Sequence, residues 1–418
     1  MRTPWLFLSI VFATAQSQVT FVGHQVLRIH ANSEEQLALV KSLERMEHLK
    51  LDFWKEPVRT ALPIDVRVPR KHVHTVKSFL ESNGITYSVM IKNLQSLVDE
   101  EHVSMLISEL RNGTYSFNYR AYHRLKEIYT WVKNLAAENP RLVRRQRIGR
   151  SSQGRPLHIL KFSTGRKRPA IWIDSAIHGR EWISPAVAIW IAKKITTDYG
   201  NDPSITSLLN KMDIFMLIMA NPDGYVYSRT KNRMWRKTMS KKPGSHCIGV
   251  DANRNFDANF GGNGSSKAPC AESYCGPHVH SEPEVKAIVN FIQKHGNFMV
   301  FITLHSYLQR LLYPYGYTHV PPENAEELAT LASEAIEVLA SLYGTRYTYG
   351  SIIQTINESS GNSIDWSYNQ GIKYPYAFEL RDEGQYGFVL PPSQIIPTAE
   401  ETWLAIKKIM EHASNRLP

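Results

Sequence analysis

Apolar runs beginning at Ala170, Ile214, Phe298 and Tyr374 alternate with stretches of helical periodicity, and this alternation constrains the fold more than any other feature of the 418-residue chain. The helical stretches run from Ala121 to Ala137, Ser184 to Tyr199, Glu282 to His295, Glu323 to Tyr343 and Thr398 to Ala413. Strands that alternate with helices build a sheet covered on both faces, so the expected class is α/β: a three-layer domain on a mixed, mostly parallel sheet. Open sheets of this kind keep their sites at the carboxyl ends of the strands.

Three of these runs end on side chains that can do chemistry. Ala170-Ile171-Trp172-Ile173 gives way to His178 and Glu181, in the loop before a helix that opens with Ser184-Pro185. Val300 to Leu304 ends on His305, and Tyr374 to Phe378 leads to Glu379. An imidazole and a carboxylate three residues apart form a short-spacer pair. A third ligand far downstream suits a zinc that catalyses rather than one that only braces a fold, so His178, Glu181 and His305 are the expected ligand set. Alone, a loop His beside a Glu is more often a solvated pair; the third ligand at an equivalent strand end supplies the weight. The chain lacks the helix-borne HExxH pattern, in which the Glu is the base. Glu379, flanked by apolar and aromatic residues, is the candidate base, since burial would raise its pKa toward the range useful for taking a proton from water at the metal. On pattern alone Glu379 equally suits a salt bridge to Arg381.

Four motifs, His178-Gly179-Arg180-Glu181, Asp251-Ala252-Asn253-Arg254-Asn255-Phe256, His305-Ser306-Tyr307 and Phe378-Glu379-Leu380-Arg381-Asp382, together resemble the pancreatic-type zinc metallocarboxypeptidases, A-type, in zymogen form. The resemblance covers essentially the whole chain. It implies hydrolysis of the C-terminal peptide bond of peptides and proteins, one zinc per chain, and Glu379 activating the zinc-bound water. Arg236 would stabilise the oxyanion with the metal, and Asp251 would orient His178 through its other ring nitrogen. Asn253 and Arg254 would grip the terminal carboxylate, with Arg180, Ser306 and Tyr307 lining the path to further substrate positions. Ile364, Ala377 and Gly316 would line the specificity pocket. Ile364 stands where B-type members carry an acid, and burying a cation on an apolar floor costs on the order of several kcal/mol. Aliphatic or aromatic C-terminal residues are therefore expected. Asn357 departs from the pattern, standing where the family places a lid tyrosine, which puts closure over the substrate in doubt. Two other readings stay open: a B-type enzyme for basic ends, and a non-catalytic relative that keeps the zinc fold as a binding module.

The region before these motifs is organised separately. Residues 1–15 carry Arg2, an apolar run and Ala13-Thr14-Ala15, the pattern of a secretory signal peptide, so a secreted, extracellular protein with no membrane span is expected. Residues 16–111 follow a β-α-β-β-α-β order, the split ferredoxin-like arrangement, with a connecting helix from Asn93 to Leu110. This small α+β unit suggests an inhibitory propeptide released by a trypsin-like protease cutting after Arg111, leaving a catalytic domain over 112–418. Asn112, Asn263 and Asn357 head glycosylation sequons. Of Cys247, Cys270 and Cys275, one pair is expected to be bridged; sequence does not choose it, and the resemblance implies Cys247 with Cys270. The formal net charge of +11 is concentrated in acid-free stretches, from Arg141 to Ala170 and from Tyr225 to Val250. A solvated cationic surface is favoured over a polyanion patch, nucleic acid is not an expected partner, and a monomer is expected.

Overall fold

The computed structural model describes residues 18–60, 62–111 and 117–417. The expected signal peptide and the sequon at Asn112 lie outside them. The N-terminal unit contains β1 (Gln25–His30), α1 (Glu34–Glu44), β2 (Asp52–Phe53), β3 (Ile64–Val68), α2 (Val73–Ser82) and β4 (Thr86–Ile91), followed by the connecting helix α3 (Leu94–Arg111). Its sheet has the order β2-β3-β1-β4, all antiparallel. Ser33 caps α1 by accepting from Gln36 N, with Glu34 and Glu35 in the first turn, so a side-chain cap and early acids set the start of the helix. Val26, Leu27 and Ile29 of β1 are fully buried, and Leu27 and Ile29 join Leu37, Val40, Val76 and Leu80 in a core of the unit's own.

The larger unit opens with α4 (Leu125–Glu138), β5 (Val143–Arg150), β6 (Pro156–Phe162), β7 (Ala170–Ser175), α5 (Ile183–Asp198), α6 (Pro203–Lys211), β8 (Asp213–Leu217) and α7 (Pro222–Thr230). It continues with α8 (Pro283–His295), β9 (Phe298–Ser306), β10 (Arg310–Tyr313), α9 (Ala325–Tyr343), β11 (Thr348–Ser351), α10 (Ile352–Thr355), α11 (Ser363–Asn369), β12 (Tyr374–Leu380) and α12 (Ile395–Asn415). Eight strands form one mixed sheet in the order β11-β10-β12-β9-β7-β8-β6-β5. The four central strands, β12, β9, β7 and β8, run parallel, and the antiparallel pairings lie toward the two edges.

Strand alternation divides the core in two. Ile171, Ile173, Ile302 and Phe378 face a layer built from α4, α5, α6, α9 and α12. Trp172, Phe301, Leu312 and Ala377 face the opposite layer with α8 and α11. Covering both faces explains why β7 and β8 read as unbroken apolar runs, and burying each large side chain is worth roughly 1.5–3 kcal/mol. Such alternation also sends His305 and Glu379 to the same face as Phe301 and Ala377, at the carboxyl ends of their strands.

The basic stretch after Arg141 contains a β5–β6 hairpin that its charge conceals. β5 is an edge strand with Arg144, Arg145 and Arg147 exposed, and charge on an edge discourages pairing with another sheet. Helices α6, α7 and α11 and strands β10 and β11 are likewise short elements that periodicity alone does not single out.

Candidate metal centre and substrate cleft

The loop between β7 and α5 is held by close packing. A Cβ on Gly179 would lie 2.5 Å from Gly224 O and 2.8 Å from Trp235 O, so no larger residue fits there. Gly179 N donates to Arg236 O at 2.9 Å, which joins this loop to the segment carrying Arg236. Ser184 Oγ accepts from Ala176 N and donates to Glu181 O, closing the loop onto the first turn of α5.

Within this frame three side chains converge. Glu181 Oε1 lies 2.7 Å from His178 Nδ1, and its Oε2 lies 3.1 Å from His305 Nδ1. The donor atoms all fall within 4.8 Å of one another, and all three residues are buried. The outward ring nitrogens are occupied: His178 Nε2 lies 3.1 Å from Asp251 Oδ1, and His305 Nε2 lies 3.2 Å from Thr303 Oγ1, which itself donates to Asp174 Oδ1. Each outward contact therefore orients its ring with Nδ1 turned inward. Burial pushes the Glu181 carboxyl up, but His178 and His305 outweigh it and hold the group below the ordinary carboxylate range. Two imidazole nitrogens and an ionised carboxylate facing one point are a donor set that fits zinc. The second cluster among the described residues, His246 with Cys247 and Cys270, offers no comparable set, because the two sulfurs are bonded to each other. That disulfide is the pair expected, and Cys275 is free and buried.

Glu379 is the register partner of His305 across the β12–β9 ladder and lines the same cleft. Burial raises its carboxyl to about 8, with His305 opposing and Glu181 adding. The alternative partner is taken, since Arg381 is bonded to Glu401. Arg236 sends Nε and Nη2 to Asp251 Oδ2 at 3.1 and 2.8 Å, and its Nη1 stands 3.9 Å from Glu181. Asp251 thus ties His178 and Arg236 together. Despite its burial, Arg236 and His178 keep its carboxyl well below the usual range.

The remaining expected residues line this cleft, which encloses about 1210 Å³ with its open mouth included. Asn253 and Arg254 are on one wall: Asn253 Oδ1 accepts from Ser363 N, and Arg254 donates from Nε to Gly264 O and from Nη1 to Asn253 O. Ile364 and Ala377, with Leu312, Ile352 and Ile356, make an apolar floor. Gly316 sits behind that lining, donating its N–H to the buried Asp365 carboxylate. Ser306 contributes its N–H to Glu181 Oε2 at 3.3 Å.

The N-terminal unit occupies the cleft mouth, and this the sequence did not foretell in residue terms. Phe53, Trp54, Lys55, Glu56, Leu62 and Pro63 line the cleft beside the site residues. Arg180 Nη1 donates to Asp52 Oδ1 at 3.1 Å, Tyr307 OH donates to Asp65 Oδ2 at 2.8 Å, and Asn357 Nδ2 donates to Glu56 Oε2 at 3.3 Å. Trp54 packs edge-on against Tyr307 and Phe388. On α3, Glu101 accepts from Arg233 Nε and Nη2, both residues buried. Carboxylates of the small unit therefore sit on three of the residues expected to bind substrate. α3 ends at Arg111, where the described residues stop.

Comparison with known proteins agrees with this organisation. The zinc carboxypeptidase family matches residues 128–405, and the carboxypeptidase activation peptide family matches residues 27–101. The chain is 56% identical over 414 residues to carboxypeptidase A1 of Bos taurus, covering 99% of both chains. It is 55% identical over 405 residues to carboxypeptidase A2 of Mus musculus, covering 97% of both. Among solved structures, thrombin activatable fibrinolysis inhibitor superposes with a TM-score of 0.87 at 35% identity, over 94% of this chain and all of that one. Carboxypeptidase A from Helicoverpa armigera gives 0.87 at 26% identity, over 96% and 99%.

Proposed function

Because the chain belongs to the zinc carboxypeptidase family as an A-type zymogen with its activation peptide, we propose that it releases aliphatic or aromatic residues from peptide and protein C-termini once residues 16–111 are removed. The observation that carries this reading is the convergence of His178, Glu181 and His305 beside Glu379, in a cleft that Arg254 also lines and whose floor is apolar.

His178, Glu181 and His305 would hold one zinc, which when bound supplies a Lewis acid that acidifies water and polarises a carbonyl. Asp251 and Thr303 keep the two rings turned for that task. Glu379 receives a proton from the attacking water and delivers it to the departing amine as the carbon–nitrogen bond breaks. The Arg236 guanidinium, fixed by Asp251, stabilises the charge that gathers on the carbonyl oxygen. Arg254 grips the terminal carboxylate, the one group an internal peptide bond lacks, with Asn253 beside it, and Arg180, Ser306 and Tyr307 line the way to residues further upstream. Ile364 and Ala377 receive the terminal side chain. Asn357 covers that end of the cleft less fully than an aromatic lid, so substrate is bound more weakly while the chemical groups stay intact.

In the zymogen Asp52, Asp65 and Glu56 hold the groups that a substrate needs, which makes the propeptide the inhibitor. Cleavage after Arg111 by a trypsin-like protease frees a catalytic domain over 112–418, and a signal over 1–15 directs the monomeric protein out of the cell. The test is release of the terminal residue from blocked Phe-, Leu- and Arg-ended dipeptides by the secreted, trypsin-treated protein. Release of Phe or Leu that a chelator stops and zinc restores is expected. Preference for the Arg-ended substrate would instead support a B-type enzyme, and no release from any would support a binding module.

A further inference from the structure

Arg310 is a cation of the cleft wall that the chemistry above leaves unused. It opens β10, where antiparallel pairing places it opposite Glu379 and places Leu312 opposite Ala377. All four side chains line the cleft, as alternation along two adjacent strands requires. Cross-strand partners have Cβ atoms about 4.5–5.5 Å apart, so Arg310 stands level with the base, and Leu312 and Ala377 stand one step toward the pocket of the terminal side chain. Its Nη1 donates to Thr355 O, at the end of α10 and two residues before Asn357.

The charges around this guanidinium are unusual for the cleft. Glu379 and Glu383 are the carboxylates that reach it, neither within ion-pair distance among the described residues, and the propeptide sets the like charges of Arg59 and Lys55 within electrostatic reach of it. Elsewhere the propeptide supplies carboxylates to the cations it covers; here it supplies like charge. Once the propeptide has left, a half-buried guanidinium that lines the cleft and is anchored through one bond to Thr355 O is suited to receive an anionic group.

We propose that Arg310 reads the penultimate residue of the substrate, favouring Asp or Glu at the position whose carbonyl is attacked. The proposal rests on the carboxypeptidase reading. A substrate with its terminal side chain over Leu312 and Ala377 and its scissile carbonyl beside Glu379 carries the preceding side chain to the level of Arg310.

The test uses the trypsin-activated protein with N-blocked Glu-Phe, Gln-Phe and Lys-Phe, reading kcat/KM for each. Wild type should favour Glu over Gln by about two- to fivefold, the range of a partly exposed ion pair. Arg310→Met should bring that ratio to about one, Arg310→Lys should retain most of it, and Arg310→Glu should shift preference to Lys-Phe. A wild-type ratio near one, or a ratio unchanged in Arg310→Met, overturns the proposal. Equal losses on all three substrates also overturn it, marking Arg310 as a brace for the Thr355 loop. Failure of wild type to cleave even Gln-Phe would overturn the carboxypeptidase reading itself.

Discussion

Replacing Asp52 should loosen the propeptide more than any other single change in the cleft mouth. Its carboxylate accepts from Arg180 Nη1 at 3.1 Å, Arg67 Nε at 3.2 Å and Trp54 Nε1 at 3.1 Å. Side-chain exposures of 2% for Arg180 and 7% for Asp52 leave little water to take over when one partner goes. Removing one member of a buried pair leaves the other charge unpaired, a loss of about 3–5 kcal/mol, so Asp52→Ala should weaken propeptide binding by roughly 10² to 10⁴-fold. Asp52→Asn keeps an acceptor and loses only the charge, which is worth about 1.5–3 kcal/mol, or roughly 10- to 100-fold. The assay is to nick the zymogen with trypsin, leave the fragments together and follow activity on dilution, so that the concentration giving half-maximal activity reports propeptide affinity. Glu47→Ala, on the exposed surface of the same unit, is the control and should change nothing. If Asp52→Ala and Asp52→Asn both bind as tightly as wild type within about twofold, the Arg180–Asp52 pair is not what closes the cleft.

Two further expectations concern other sites. Asn357→Tyr should lower KM of the activated protein by up to about tenfold through added apolar cover, with a smaller change in kcat; an unchanged KM would remove the role given to this position. Glu284 is 1% exposed, its Oε1 accepts from Ser152 N at 2.9 Å, and its Oε2 has no partner among the described residues. Burial, with Glu282 and Asp223 adding, raises its folded-state pKa to about 7 from 4.5. Folding thus favours the protonated acid, and the stability it contributes is present below pH about 4.5 and lost as pH rises toward 7. Glu284→Gln should therefore be more stable than wild type by roughly 1–3 kcal/mol at pH 8 and equal to it near pH 4, as read by urea unfolding at the two pH values. Equal stability at pH 8 would show that the carboxylate is accommodated without penalty.

The proposed ligand trio and base were legible because His305 and Glu379 lie at the ends of strands whose apolar pattern is unmistakable and His178 and Glu181 lie in the loop just past a third, and strand ends in such sheets gather in space. Arg236 and Asp251 were legible only through their motifs: both lie in irregular segments, and their partnership with His178 depends on a loop threaded past Gly179 and Gly224. Nothing in local pattern marked Asp52, Asp65 or Glu56 as cleft residues. Their surroundings read as an ordinary small α+β unit, and the contacts with Arg180, Tyr307 and Asn357 span 128 to 301 residues. Arg310 was hidden for another reason. A basic residue before Leu311-Leu312-Tyr313 says nothing until strand register sets it opposite Glu379.

The placement of the propeptide carboxylates bears on what activation has to accomplish. Among the described residues the propeptide touches Arg180, Tyr307 and Asn357, while the hydrogen bonds of His178, Glu181 and His305 run to one another and to Asp251, Thr303 and Ser306. The propeptide thus covers residues proposed to bind substrate and leaves the proposed ligand cluster assembled. Removing the propeptide frees Arg180, Tyr307 and Asn357 in the cleft and Arg233 beside it, and no ring or carboxylate of the proposed metal site has to find a new partner. A zymogen organised this way should take up zinc before it is cleaved, and its activation should be limited by departure of the propeptide rather than by any rebuilding of the catalytic groups.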